Sequence, residues 1–248
     1  MEHNILIFIV VGFVAQIIDG ALGMAYGVSS TSFLLSIGIS PAAASASVHT
    51  AEIFTTGVSG LSHLKLGNVN KKVVARLLIP GVLGGVLGAY ILTAVPGGII
   101  RPFVSVYLLV MGIAILRRSL QTREPKQDTR HYHLIPLGLV GGFFDAIGGG
   151  GWGPIVTTTL VARGDDPRIT IGSVNLTEFF VTLVESVTFA LTIGLVHWKI
   201  ILGLMIGGGL AAPVAAYVCK YLPYRVLMTV VGVVIIGLSI RTLYLVLA

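Results

Sequence analysis

Apolar runs fill most of the chain, and their lengths fall into two classes. Two short runs, about 5–18 and 24–37, flank an interruption at Asp19–Gly23. Three longer runs follow, near 42–63, 72–93 and 99–118. The same order then recurs, with short runs near 134–145 and 151–163 and long ones near 168–192, 199–219 and 226–246. At about 1.5 Å per residue a short run reaches about 20 Å as a helix, less than a hydrocarbon core of about 30 Å, whereas a long run can cross it. The pattern predicts an all-α, polytopic membrane protein of ten helical segments. Six are full crossings, and the other four form two broken, re-entrant helix pairs.

The recurrence extends to residue identities. Displacing the chain by 126 positions aligns Gly12 with Gly138, Asp19 with Asp145, Gly23 with Gly149, Gly27 with Gly153, Thr31 with Thr157, Ser47 with Ser173 and Glu52 with Glu178. At a displacement of 127, Tyr90 meets Tyr217 and Pro96 meets Pro223. The chain therefore reads as two repeats, 1–118 and 133–248, joined by a polar linker at 119–132. Three crossings per repeat is an odd number, so the second repeat is expected to be inverted. The loops then place Lys65, Lys71, Lys72, Arg76, Arg117, Arg118, Arg123, Lys126, Arg130, Arg163, Arg168, Lys220 and Arg225 on one side, and only Arg101, Lys199 and Arg241 on the other. This asymmetry marks the first side, including the linker, as cytoplasmic and puts both termini outside a cell membrane.

Composition agrees with the pattern. Hydrophobic residues make up 55% of the chain, charged residues 10%, and mean hydropathy is +0.96, against about 25% charged residues in a soluble domain. The net charge of +6 resides in loops, so it bears on topology, and no nucleic-acid partner is expected. The start has no Lys or Arg before its apolar run and is not expected to act as a cleaved signal. The single cysteine, Cys219, excludes an intrachain disulfide and a thiolate metal cage.

"GFFDAIGGGGWG" (142–153) spells G-x-G-x-x-G through Gly148, Gly150 and Gly153. A dinucleotide site needs that motif between a strand and a helix, and no such unit is available, so no nucleotide or other cofactor is expected. A helix break inside the membrane fits better, since irregular backbone is tolerated there when it is buried or lines a cavity. Such breaks present half-helix N-termini, whose free N–H groups suit an anion. Glycines at Gly23, Gly149, Gly150 and Gly151 admit close backbone approach. Ser29, Ser30, Thr31, Thr157 and Thr158 add hydroxyls, and Ser47, Ser173 and Asn175 complete the candidate solute-binding set. The competing reading is that these glycines only pack helices. For Gly81, Gly84, Gly85, Gly88, Gly203, Gly207 and Gly208 packing is the expectation.

Carboxylates in a bilayer cost roughly 2.5–3.5 kcal/mol each near a helix centre. Glu52 and Glu178 both lie about ten residues into their helices, about 15 Å deep. Ser45, His49, Glu52, Thr56, Ser59 and His63 recur at steps of four and three, and Asn175, Glu178, Thr182 and Glu185 repeat the stripe. Such stripes face protein or water. Glu52 and Glu178 are candidates for proton coupling or gating, or for bracing the broken backbone. Asp19 and Asp145 precede the breaks, where a carboxylate caps the next half-helix, and both are also candidates for proton coupling or gating. Glu185 and His49 are further proton-coupling or gating candidates, although Asn175 replaces His49 in the second repeat. His49 and Glu52 alone offer too few ligands for a metal, so none is expected. Tyr26 and Trp152 occupy equivalent positions beside the breaks as packing wedges or gates.

The breaks "GFVAQIIDGALGMAYG" and "GGFFDAIGGGGWG", the turns "GISPAAASAS" and "GDDPRITIGS", and the duplication together resemble the TauE/SafE-like sulfite exporter family, also called the toluene-sulfonate uptake permease family. The second copy is the closer match, since Ala21, Leu22, Met24 and Ala25 stand where more glycines belong. The resemblance implies transport of small anions, often sulfur-containing ones such as sulfite, sulfoacetate or sulfonates. The expected function is a secondary transporter, not an enzyme, that works by alternating access, with protons as a coupling ion. An anion channel and a membrane-embedded enzyme are the alternatives. The partners expected are a small anionic solute and the bilayer, and the pattern specifies no oligomer.

Overall fold

A computed structural model describes residues 4–22, 24–120, 133–163, 165–221 and 224–247, and among them every regular element is helical. Residues 4–120 form α1 (Ile5–Leu22), α2 (Tyr26–Ser36), α3 (Pro41–Lys65), α4 (Lys71–Ala94) and α5 (Gly97–Leu120). Residues 133–247 form α6 (Leu134–Gly148), a π-helical turn (Gly153–Thr157) leading into α7 (Thr158–Ala162), α8 (Pro167–Thr192), α9 (Trp198–Tyr221) and α10 (Tyr224–Leu247). The linker expected at 119–132 begins inside α5, and its residues 121–132 lie outside the described residues.

Local chemistry sets the helix starts. Ser40 accepts the Ala43 N–H at 3.4 Å with Pro41 at the first helical position of α3, and Asn70 accepts the Lys72 N–H at 3.0 Å at the start of α4. Helices in α4, α5, α8 and α10 are long and apolar enough to cross a membrane. α3 and α9 match them in length at 25 and 24 residues, with polar side chains along α3.

Both breaks lie later than their sequence signals suggest. α1 continues through Asp19 to Leu22, 18 residues or about 27 Å, rather than ending at 18. The chain turns instead at Ala25, whose φ is +93°. α6 likewise runs on to Gly148, past the expected end at 145, and the turn begins at Gly149 and Gly150, with φ of +65° and +139°. Only glycine adopts the latter conformation readily. An Asp followed by small residues continues a helix as well as it ends one, so the two aspartates occupy the last turns of their helices.

The two halves of the chain exchange partners. α1 packs along α9, and its counterpart α6 packs along α4; α3 pairs with α8, and α5 with α10. The contacts match residue by residue. A Cβ on Gly12 would lie 2.5 Å from the Leu204 carbonyl, and one on Gly138 would lie 2.9 Å from the Leu77 carbonyl. Trp152 covers Gly81 as Tyr26 covers Gly208. The glycines of α4 and α9 admit these close approaches, with Gly84 on Leu139, Gly88 on Phe143, Gly203 on Phe8 and Gly207 on Ile9.

Two arginines join the halves of the chain, and Arg101 joins α5 to α2 within the first half. Arg241 of α10 donates to the Ser36 carbonyl at the end of α2, Arg101 donates to Leu35 O at 2.6 Å, and Arg118 of α5 donates to Thr158 O at 2.9 Å. A cation there complements the negative end of the α2 dipole. Large apolar side chains such as Ile79, Leu83, Phe103 and Leu191 face outward, while Ser45, His49, Glu52, Asp145 and Glu185 are buried. Polar inside and apolar outside is the arrangement a bilayer demands.

Candidate functional site

The two breaks cross at the centre of the molecule. A Cβ on Gly27 would overlap Gly150 and lie 2.8 Å from the Gly149 carbonyl oxygen. The Thr31 hydroxyl donates to that same carbonyl at 2.6 Å. From α3, the Ser45 hydroxyl donates to Ala146 O at 2.6 Å, so the end of α6 is tied to the first repeat at two carbonyls. The backbone groups freed by the break are thereby paired with side chains.

Asp145 holds the other side of the second break. Its Oδ1 accepts the Gly151 N–H at 2.6 Å and the Trp152 N–H at 2.9 Å. The counterpart contact, Tyr26 N–H to Asp19 Oδ1, is long at 3.4 Å, and Asp19 is half-buried. The half-helix N–H groups are thus partly committed to the chain's own carboxylates. The uncommitted donors nearby are hydroxyls: the buried oxygens of Ser29, Ser30, Ser32 and Thr157 have no hydrogen-bond partner within the protein.

Buried acids surround this crossing. Glu52 Oε1 lies 3.1 Å from the position a Gly27 Cβ would take. The Glu52 carbonyl accepts the Thr55 and Thr56 hydroxyls at 3.2 and 2.6 Å. His49 Nε2 lies 2.9 Å from Glu185 Oε2 and 3.5 Å from Asp145 Oδ2, and all three side chains are fully buried. Glu178 is half-buried, within electrostatic reach of the titratable groups of Glu52, Asp145, Asp19 and His49.

Other candidates make hydrogen bonds within a helix or between helices. Ser47 donates to Ala43 O, and Thr158 donates to Pro154 O. Ser173 donates to Ile169 O and accepts the Asn70 N–H at 2.8 Å, and Asn175 donates to Ser59 Oγ at 2.7 Å. Gly23 lies outside the described residues. Tyr26 donates its hydroxyl to Leu204 O at 3.0 Å, and the Trp152 indole donates to Val174 O at 3.3 Å, so both are anchored wedges. The stripe reading missed Tyr107 of α5. Its ring stacks on Phe144 at 5.3 Å, and its hydroxyl abuts Gly151 without a hydrogen-bond partner. A lone tyrosine in an apolar run gives only the weak signal of one unpaired polar group.

A cavity of about 830 Å³ opens between α1, α3 and α9, lined among others by Gln16, Thr55, Ser59, Ser62, His63 and Met205. It follows α3 from the end bearing Lys65 up to Thr55, one turn from Glu52.

The sequence model of the sulfite exporter TauE/SafE matches residues 8–242. The chain belongs to the TauE/SafE sulfite exporter family. Two curated proteins match this TauE/SafE chain over 97% of its length. A probable membrane transporter protein, YtnM, of Bacillus subtilis (strain 168) is 44% identical, with 83% of that protein covered. A probable membrane transporter protein, ORF9, of a Sinorhizobium species is 25% identical, with 93% of it covered. No solved structure matches. The TauE/SafE chain is therefore a membrane transporter, which implies a small solute and a lipid surround.

Proposed function

We propose that this transporter is a secondary carrier of small sulfur-containing anions, such as sulfite, sulfoacetate or a sulfonate, working by alternating access. The observation that carries this reading is the set of buried, uncommitted hydroxyls of Ser29, Ser30, Ser32 and Thr157 on the half-helices beside the crossed breaks. Hydroxyls are neutral donors. They bind a compact oxyanion without the tight charge pairing that would slow its release. The family's character as sulfite exporters supports a sulfur oxyanion as the solute.

The reciprocal packing of α1 on α9 and α6 on α4 supports two inverted repeats that rock about the crossing. The excess of basic residues in these loops supports a cytoplasmic location for the side carrying Lys65 and the linker, with both termini outside. The cavity along α3 is then the inward-facing approach. Protons are the coupling ion in this reading, carried by Glu52 and Glu178, while the helix wedges Tyr26 and Trp152 keep each half-helix seated.

Flux in proteoliposomes tests the proposal, with sulfite, sulfate, thiosulfate, sulfoacetate and acetate offered with and without a pH gradient. Saturable, gradient-dependent movement of a sulfur oxyanion is expected. Flux that rises linearly with concentration would indicate a channel, and a chemically altered solute would indicate an enzyme. No movement of any sulfur oxyanion by folded, inserted protein would overturn the substrate class.

A further inference from the structure

We propose that His49, Asp145 and Glu185 form a binding site for a divalent transition-metal ion of the zinc type. One ligand atom from each lies within 4.8 Å of the others, and the residues come from α3, α6 and α8. The acids alone would carry no such argument; the histidine and the unpartnered atoms do.

The histidine is oriented as a ligand. Its Nδ1 lies 2.8 Å from the Ser45 carbonyl oxygen, which can only accept, so Nδ1 bears a hydrogen. Nε2 is left to face the two carboxylates. A histidine whose Nδ1–H is held by a backbone carbonyl and whose Nε2 is free is the usual geometry of a metal ligand. Asp145 is positioned in the same way: Oδ1 is fixed by two backbone N–H groups, and Oδ2 points at the cluster.

A proton on Nε2 satisfies less of the site. One N–H can serve Glu185 Oε2 at 2.9 Å, but Asp145 Oδ2 stays 3.5 Å away, and neither it nor Glu185 Oε1 has a hydrogen-bond partner. Both residues are fully buried. A divalent ion would engage all three side chains and cancel the charge of both carboxylates. With bonds of about 2.0–2.1 Å, neighbouring tetrahedral ligands lie about 3.3 Å apart, a value between the 2.9 and 3.5 Å that separate His49 Nε2 from the two carboxylates. One nitrogen and two carboxylate oxygens suit zinc and its neighbours better than an alkali ion, which prefers oxygen alone. Three protein ligands leave a fourth position open.

Metal content decides the matter independently of the transported solute. The full chain, purified without a polyhistidine tag from zinc- or cobalt-supplemented cells, should retain about one ion per chain. The cobalt form should show the intense visible bands of a tetrahedral site. His49→Asn, which installs the residue found at the equivalent Asn175, and Glu185→Gln should each lower retention at least about tenfold. His63→Asn should leave it unchanged. Folded wild-type protein that carries no metal, or equal retention in both variants, would overturn the proposal. Failure of anion flux in metal-loaded protein would count against the transport reading alone.

Discussion

Gly27 of α2 and Gly150 of the second break meet backbone to backbone, with no room for a Cβ on either. Each break therefore closes against the other. Gly27→Ala or Gly150→Ala should destabilise the protein by roughly 2–4 kcal/mol, from overpacking in both and from the +139° φ in the second. Thermal unfolding in detergent would measure this, with Gly237→Ala as control, since nothing lies within 4 Å of that position. Wild-type unfolding of Gly27→Ala would show that the breaks do not touch.

Hydroxyls that pair within the protein should behave differently from those that do not. Thr31→Val leaves the Gly149 carbonyl without its donor and should cost about 1–3 kcal/mol. Ser30→Ala removes no internal hydrogen bond, so its unfolding temperature should match the wild type while the KM for the transported anion rises several-fold. An unchanged KM would remove Ser30 from the binding set.

Asp145 pairs two backbone N–H groups with one oxygen. Asp145→Ala should lose about 1–2 kcal/mol as a cap, whereas Asp145→Asn keeps an acceptor and should lose less. Wild-type unfolding temperatures in both variants would show that the cap contributes nothing.

Glu178→Gln removes a half-buried titratable group within electrostatic reach of Glu52, Asp145, Asp19 and His49. Its flux should lose the response to an imposed pH gradient while the protein folds normally. A full response in the variant would exclude Glu178 from proton coupling.

The cavity beside α3 gives a sidedness test. In a Cys219→Ser background, Ser62→Cys should react with a membrane-impermeant thiol reagent from the cytoplasmic side only. Reaction from the outside alone would reverse the proposed orientation.

Helix number and extent were legible because they follow from local periodicity. The long runs near 72–93 and 168–192 became α4 and α8 with ends displaced by at most a few residues. The breaks were legible as glycine clusters but misplaced by several residues, because Asp19 and Asp145 read equally well as a last helical turn or as an end. His49, Glu52, Asp145 and Glu185 stood out singly as acids and a histidine in apolar surroundings. Their grouping was not visible. His49 pairs by spacing with Glu52 on its own helix, yet in space it faces Asp145 and Glu185, 96 and 136 residues away.

The sequence by itself determined the membrane setting, the helical class and the internal duplication, since hydropathy, helix period and repeated identities are properties of the chain read in order. Tertiary structure alone decided the exchange of α1 onto α9 and α6 onto α4, the contact of Gly27 with Gly150, and the meeting of His49 with two carboxylates. Those contacts join residues remote in sequence, and the spacing of small residues marks a packing face without naming the helix that meets it.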